Sequence, residues 1–241
     1  VTAGRPETVR LFDLLPGPAS GIRAHSCAVA PDGAFYCIAN NALWRIPGGA
    51  ADARRVSVPE VNVFSMQDSG NVACAGGRVL FAAHDGKHGV EPWAAEGASG
   101  ECTLLADIFP GSESSGATQF TAHRGAAFFA AQDIEHGREI WRTDGTPAGT
   151  RLLRDICPGR SSSDPYGFTP AAGQVFFLAN DGLHGRELWR TDGTPEGTRL
   201  VADLSPGATG SGPWSLCAGE SALYFCATTP DRGDEIWRTD G

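Results

Sequence analysis

The sequence predicts an all-β fold, a five-bladed β-propeller of four-stranded antiparallel blades, and two observations carry that prediction. The first is a repeat: Trp44, Trp93, Trp141, Trp189 and Trp237, five of the six tryptophans, follow one another at intervals of 49, 48, 48 and 48 residues. A fixed period of ~40–50 residues with four short strands per unit is the pattern of a propeller blade. The second is composition. Gly (32) and Pro (16) fill about a fifth of 241 positions, too many breakers for helices, while 41% hydrophobic residues are enough for a core and exclude a disordered chain.

The words around each Trp repeat as well. Glu139-Ile140-Trp141-Arg142-Thr143-Asp144-Gly145-Thr146 recurs as Glu187-Leu188-Trp189-Arg190-Thr191-Asp192-Gly193-Thr194, and again as Glu235-Ile236-Trp237-Arg238-Thr239-Asp240-Gly241. Leu43-Trp44-Arg45 and Glu91-Pro92-Trp93 are degenerate copies. The fourth unit shows the elements most plainly. Strands are expected at 166–172, 174–180, 187–191 and 199–204. Turn signals separate them at Ala172-Gly173, Asp181-Gly182, Asp192-Gly193-Thr194-Pro195 and Pro206-Gly207. Five units make one domain over residues 1–241. Residues 8–17 match 198–207 in type and order, so strand 8–14 is expected to complete the blade formed by 214–239 and close the ring. The chain opens on Val1 with no leader pattern behind it, as a mature product would.

Charge narrows the partners. Nineteen basic against 28 acidic residues give a net charge of −9, which argues against a nucleic-acid partner, since phosphate neutralisation needs a basic face. No apolar run approaches the ~20 residues of a membrane span. A monomer is expected. Cys27 and Cys37 flank one turn and Cys217 and Cys226 another, spacings that suit two cross-hairpin disulfides and an oxidising, extracellular compartment.

Glu-Leu-Trp-x-x-Asp-Gly-Thr-x-x-Gly-Thr, intact at 187–198, resembles the ELWxxDGT repeat family of secreted and surface bacterial proteins. The resemblance covers essentially the whole chain, with the word best kept in the last three units. It implies a repeated fold and an extracellular or cell-surface setting, and it implies no particular activity. A cell-surface protein is one partner such a setting allows.

A second word, Asp-x-x-His-Gly-x-Glu, recurs as Asp85/His88/Glu91, Asp133/His136/Glu139 and Asp181/His184/Glu187, with Asp231/Arg232/Glu235 in the last unit. In a propeller these loops emerge on the same face as the blade-to-blade connections 110–116, 158–164 and 206–212, opposite the Asp-Gly-Thr turns. Two readings stay open. Asp85, His88, Asp133, His136, Asp181 and His184 are metal-capable, and calcium or zinc is the ion such a set would take. Against one shared ion, ligands of a zinc lie ~3–4 Å from one another, whereas equivalent positions in adjacent blades stand more than ~8 Å apart. The other reading is local: each His bonds its own Asp, and each Glu accepts backbone amides. No cofactor is predicted, calcium or zinc being the ion that the first reading alone would take.

Function follows from the same face. His88, His136, His184 and Arg232, with the hydroxyl-rich connections and the aromatic rings Tyr166 and Trp214, could line repeated inter-blade pockets. That arrangement suits a carbohydrate or other small polar ligand, because a sugar stacks its C–H face on an aromatic ring and bonds through its hydroxyls. A lectin-like secreted binding module is therefore the first expectation. An enzyme using the loop histidines, a metal or the central channel is the alternative, with His25 and His123 near the inner strands and Asp68 and Glu220 as poorly placed acids. A surface adhesion or scaffold module is the third. No nucleophile elbow, phosphate loop or dinucleotide fingerprint is present in the sequence.

Overall fold

The computed structural model describes residues 27–39, 42–47, 54–56, 62–63, 72–97 and 99–241. Strand 8–14, His25 and Asp68 lie outside the described residues. Among the described residues there is no helix, and every strand pairing is antiparallel. The first blade comprises β1 (Cys27–Val29), β2 (Phe35–Ala39), β3 (Ala42–Ile46) and β4 (Arg54–Val56). The second has an inner edge in two pieces, β5 (Asn62–Val63) and β6 (Val72–Ala75), both on β7 (Arg78–His84), followed by β8 (Glu91–Glu96) and β9 (Cys102–Leu104). The third comprises β10 (Thr118–His123), β11 (Ala126–Asp133), β12 (Gly137–Thr143) and β13 (Arg151–Arg154). The fourth comprises β14 (Tyr166–Ala171), β15 (Gln174–Asn180), β16 (Arg186–Thr191) and β17 (Arg199–Leu200), so three of its strands fall where the sequence puts them and the outermost is shorter. The fifth has β18 (Trp214–Ala218), β19 (Leu223–Thr229) and β20 (Gly233–Thr239) in a three-stranded sheet.

The sheets follow one another as repeated up-and-down blades whose inner strands touch in order, β1 on β6, β6 on β10, β10 on β14 and β14 on β18. This is a β-propeller-like arrangement. Its cohesion comes from period-two alternation in the second strand of each blade. Phe128 packs against the fourth blade, its neighbour Phe129 against the second. Phe176 packs toward the fifth blade and Phe177 toward the third. Leu80 and Phe81 split in the same way between the third and first blades. Each blade is thus apolar on both faces, and all six of these side chains are at most 2% exposed. Ring stacking adds to cohesion within the blades, with Phe120 and Phe129 centroids 4.9 Å apart in the third and Phe168 and Phe177 5.4 Å apart in the fourth.

The alternation runs out at the fifth blade. Phe225 faces the fourth blade and is buried, but Tyr224, in the position of Phe176, is 44% exposed, and Ile236, in the position of Leu188, is 79% exposed.

Candidate functional site

The Asp-x-x-His-Gly loop is built identically in the second, third and fourth blades. Asp181 Oδ1 accepts the amides of Leu183 and His184, an Asx-type turn, while Oδ2 holds His184 Nδ1 at 2.7 Å. The ring pairs are 2.9 Å for His88 with Asp85 and 2.8 Å for His136 with Asp133. Both His136 and His184 are raised above the ordinary imidazole value, chiefly by the hydrogen bond to their aspartate. Asp85 and Asp181 are held low: the loop amides and the imidazole outweigh the desolvation that opposes them. Each imidazole keeps about a third of its surface exposed, with Nδ1 engaged inside its loop.

The following glycine lets the loop dock on the blade-to-blade connection. Gly185 has φ +68°, and a Cβ there would stand 2.4 Å from Gly210 N. Backbone bonds seal the contact, Gly89 N to Gly111 O, Asp164 N to Arg138 O and Gly212 N to Arg186 O. Beneath lies the glutamate. Glu139 accepts the amides of Ile156, Cys157 and Ser163 and the Ser163 hydroxyl, and is fully buried. Glu91 takes the Ile108, Phe109 and Ser115 amides, and Glu187 the Ser211 amide and hydroxyl. Burial pushes all three carboxyls up, Glu139 to about 7, against those bonds. The local reading of this word therefore holds. The opposite turn is equally self-contained: Asp192 Oδ1 accepts the Thr194 amide and hydroxyl, and Thr191 and Thr198 hydroxyls meet at 2.7 Å.

Where the loop of the second blade meets its connection there is a pocket of about 260 Å³, lined by His84, Lys87, His88, Gly89, Ser112 and Ser114 among others. Loop and connection thus meet as the repeat pattern requires. His84 was not singled out from sequence; it occupies the place of Gln132 and Asn180, so repetition alone gave it no signal. Tyr166 and Trp214 begin the inner strands of the last two blades at 40% and 39% exposure. The Arg186 guanidinium lies over the Tyr166 ring, 4.8 Å from its centroid. Arg232 is exposed and only loosely paired with Asp231 at 3.4 Å, so the fifth blade lacks the Asp–His clasp. His123 is half-buried with Nε2 unpartnered, and Glu220 is exposed.

The three histidines sit in separate blades with separate aspartates. Among the described residues no group of three or more His, Cys, Asp or Glu side chains converges in a way that could hold a metal ion. The disulfides need correction, because all seven cysteines are free thiols. A bulge between Trp214 and Cys217 shifts the hairpin, setting Cys217 opposite Tyr224 and Cys226 opposite Trp214. Cys27 does face Cys37 in register, with Cys37 wholly buried, yet both are free thiols in the structure. Also among the described residues, no helix is long and apolar enough to cross a membrane.

No known protein family matches the chain, and no curated protein does. Solved structures resemble it in fold. A TolB-like protein of Agrobacterium tumefaciens matches with a TM-score of 0.55 at 11% identity, over 90% of this chain and 76% of the other. A prolyl endopeptidase matches at 0.52 with 12% identity over 89% of this chain, and the dipeptidyl peptidase 4 of Porphyromonas gingivalis at 0.51 with 11% identity over 88%. The chain spans only 33% and 29% of those two peptidases. At such identities the likeness shows the fold alone, a propeller-like succession of β-blades.

Proposed function

We propose that this chain is a secreted, ligand-binding β-propeller of the ELWxxDGT type, with lectin-like pockets between each Asp-x-x-His-Gly loop and the connection beside it. One observation carries the reading: the 260 Å³ pocket of the second blade, whose lining includes two histidines, the chain's one lysine and two serines. These donors suit a hydroxyl-rich ligand of sugar size. Half-exposed Tyr166 and Trp214 on the same face of later blades support stacking there. Near-copies of one site favour multivalent binding, since linked weak sites gain through avidity.

The test is a glycan array probed with protein labelled at the N-terminus, which spares Lys87. Saturable binding to one sugar family is expected. His84→Ala and Lys87→Ala should weaken it at least tenfold, and Trp214→Ala should weaken it with little change in melting temperature. No binding with or without calcium and zinc would refute the lectin-like reading.

The reading includes a closed ring in which residues 8–14 form the fourth strand of the last blade. Two things support closure. The last blade shows three strands where the first, third and fourth show four, and 8–17 carries the sequence pattern of the outer strand and its turn.

A further inference from the structure

A buried glutamate recurs on the third strand of three blades, and its counterpart in the fifth blade is left open. Glu91, Glu139 and Glu187 are each 0% exposed. Each accepts main-chain amides from the connection that follows its own blade. Glu91 takes those of Ile108, Phe109 and Ser115, and Glu139 those of Ile156, Cys157 and Ser163, in both cases 17, 18 and 24 residues further along. Glu187 takes the Ser211 amide, again 24 residues on, and the Ser205 amide acts on it as well. A carboxylate can be buried when amides fill its lone pairs, and stays in water when they do not.

Glu235 holds the same place in the fifth blade. It stands opposite Ala227 on β19, as Glu187 stands opposite Ala179 and Glu139 opposite Ala131. Yet Glu235 is exposed, and among the described residues its side chain has no partner. Strand, register and residue are unchanged, so the difference lies in the donors. Counted from Glu235, the intervals of 17, 18 and 24 fall beyond Gly241. The donors belong to a recurring word, Asp107-Ile108-Phe109-Pro110-Gly111, Asp155-Ile156-Cys157-Pro158-Gly159 and Asp203-Leu204-Ser205-Pro206-Gly207, with Ser115, Ser163 or Ser211 five residues after the Pro. The word occurs once more, as Asp13-Leu14-Leu15-Pro16-Gly17, with Gly21 five residues after Pro16.

We propose that Glu235 is the acceptor for the main-chain amides of Leu14, Leu15 and Gly21, so that residues 14–21 are fastened to the fifth blade by a buried carboxylate. This rests on the closed-ring reading above and adds a polar lock to its strand pairing. Gly21 brings an amide but no hydroxyl, so Glu235 gathers main-chain donors only, whereas Glu139 and Glu187 each take a serine hydroxyl besides.

The experiment is hydrogen–deuterium exchange of the whole chain, followed amide by amide by NMR, in the parent and in Glu235→Gln. In the parent the Leu14, Leu15 and Gly21 amides are expected to exchange as slowly as those of Ile156, Cys157 and Ser163. In Glu235→Gln they should exchange at least ~10-fold faster, while Ile156, Cys157 and Ser163 keep their rates. If residues 9–13 are protected but Leu14, Leu15 and Gly21 exchange freely, or keep their protection in Glu235→Gln, the ring closes without this lock and the proposal is overturned. If residues 9–13 are themselves unprotected in the parent, the closed-ring reading fails and the lock fails with it. Protection that vanishes on dilution, with a dimer seen by light scattering, assigns the donors to a second copy and overturns the assignment to the chain's own segment. Should Glu235→Gln not fold, the parent's exchange pattern alone decides.

Discussion

Glu139 shows how one side chain can join two blades' worth of backbone. Its carboxylate collects three amides and a hydroxyl from a connection 17 to 24 residues further along the chain. Glu139→Gln puts an NH₂ group among donors, leaving at least one buried amide unsatisfied at a cost of about 1–3 kcal/mol. The same residue shapes the pH dependence. Its pKa rises from 4.5 to about 7 on folding, so the folded state holds the proton more tightly. The stabilisation is complete below 4.5 and is lost as pH climbs through 7. His136 and His184, also raised, lose their contribution as pH rises above their ordinary 6.5. Asp85, Asp144, Asp181 and Asp192 are lowered, so their contribution fades only as pH falls below 3.8. Thermal unfolding should therefore peak in mildly acidic solution and decline toward pH 8. In Glu139→Gln the decline between 4.5 and 7 should flatten. A parent protein most stable at alkaline pH would contradict this account.

At the scale of the element, the loop and its connection stand or fall as a unit. Gly185→Ala places a methyl group into the Gly210 backbone at positive φ, for a cost of about 2–4 kcal/mol. For a chain this long that is a fall of roughly 5–12 °C in melting temperature. A fall of less than ~2 °C would show that the loop is not docked as described. The word that predicts this loop was plain in the sequence because its function is local: Asp, His and Gly lie within one turn, and Glu reaches a neighbour at constant spacing. Blade boundaries were legible for the same reason, since Trp141 and Trp189 recur with the same alternation beside them. What repetition could not reveal was anything unique to one blade. The bulge after Trp214 shifts Cys217 to Tyr224, a two-residue matter that spacing between cysteines cannot report. His84 belongs to a degenerate unit, where the side chains departing from the repeat are the ones that make the pocket.

At the scale of the whole molecule, the question is what meets the last blade. Every interior interface buries an alternating apolar row, yet Tyr224 and Ile236 remain exposed at 44% and 79%. Burying side chains of that size is worth about 1.5–3 kcal/mol each, so an uncovered face is a real deficit for the fold. Residues 8–14 as outermost strand would extend the last blade and tie the chain's beginning to its end. By the register of β16 with β17, where Arg190 faces Arg199, the aligned partners are Arg238 and Val9. A Val9→Cys and Arg238→Cys pair should then crosslink under mild oxidation, detectable by mass spectrometry as one linked peptide. Deleting residues 1–15 should lower the melting temperature by at least ~5 °C, because the edge of β20 would lose its strand partner. The shortened chain should also self-associate through that edge in size-exclusion chromatography. If the pair stays reduced and the deletion melts with the parent, the N-terminal segment is not the closing strand, and the exposed face of the last blade must be met by something other than this chain's first residues.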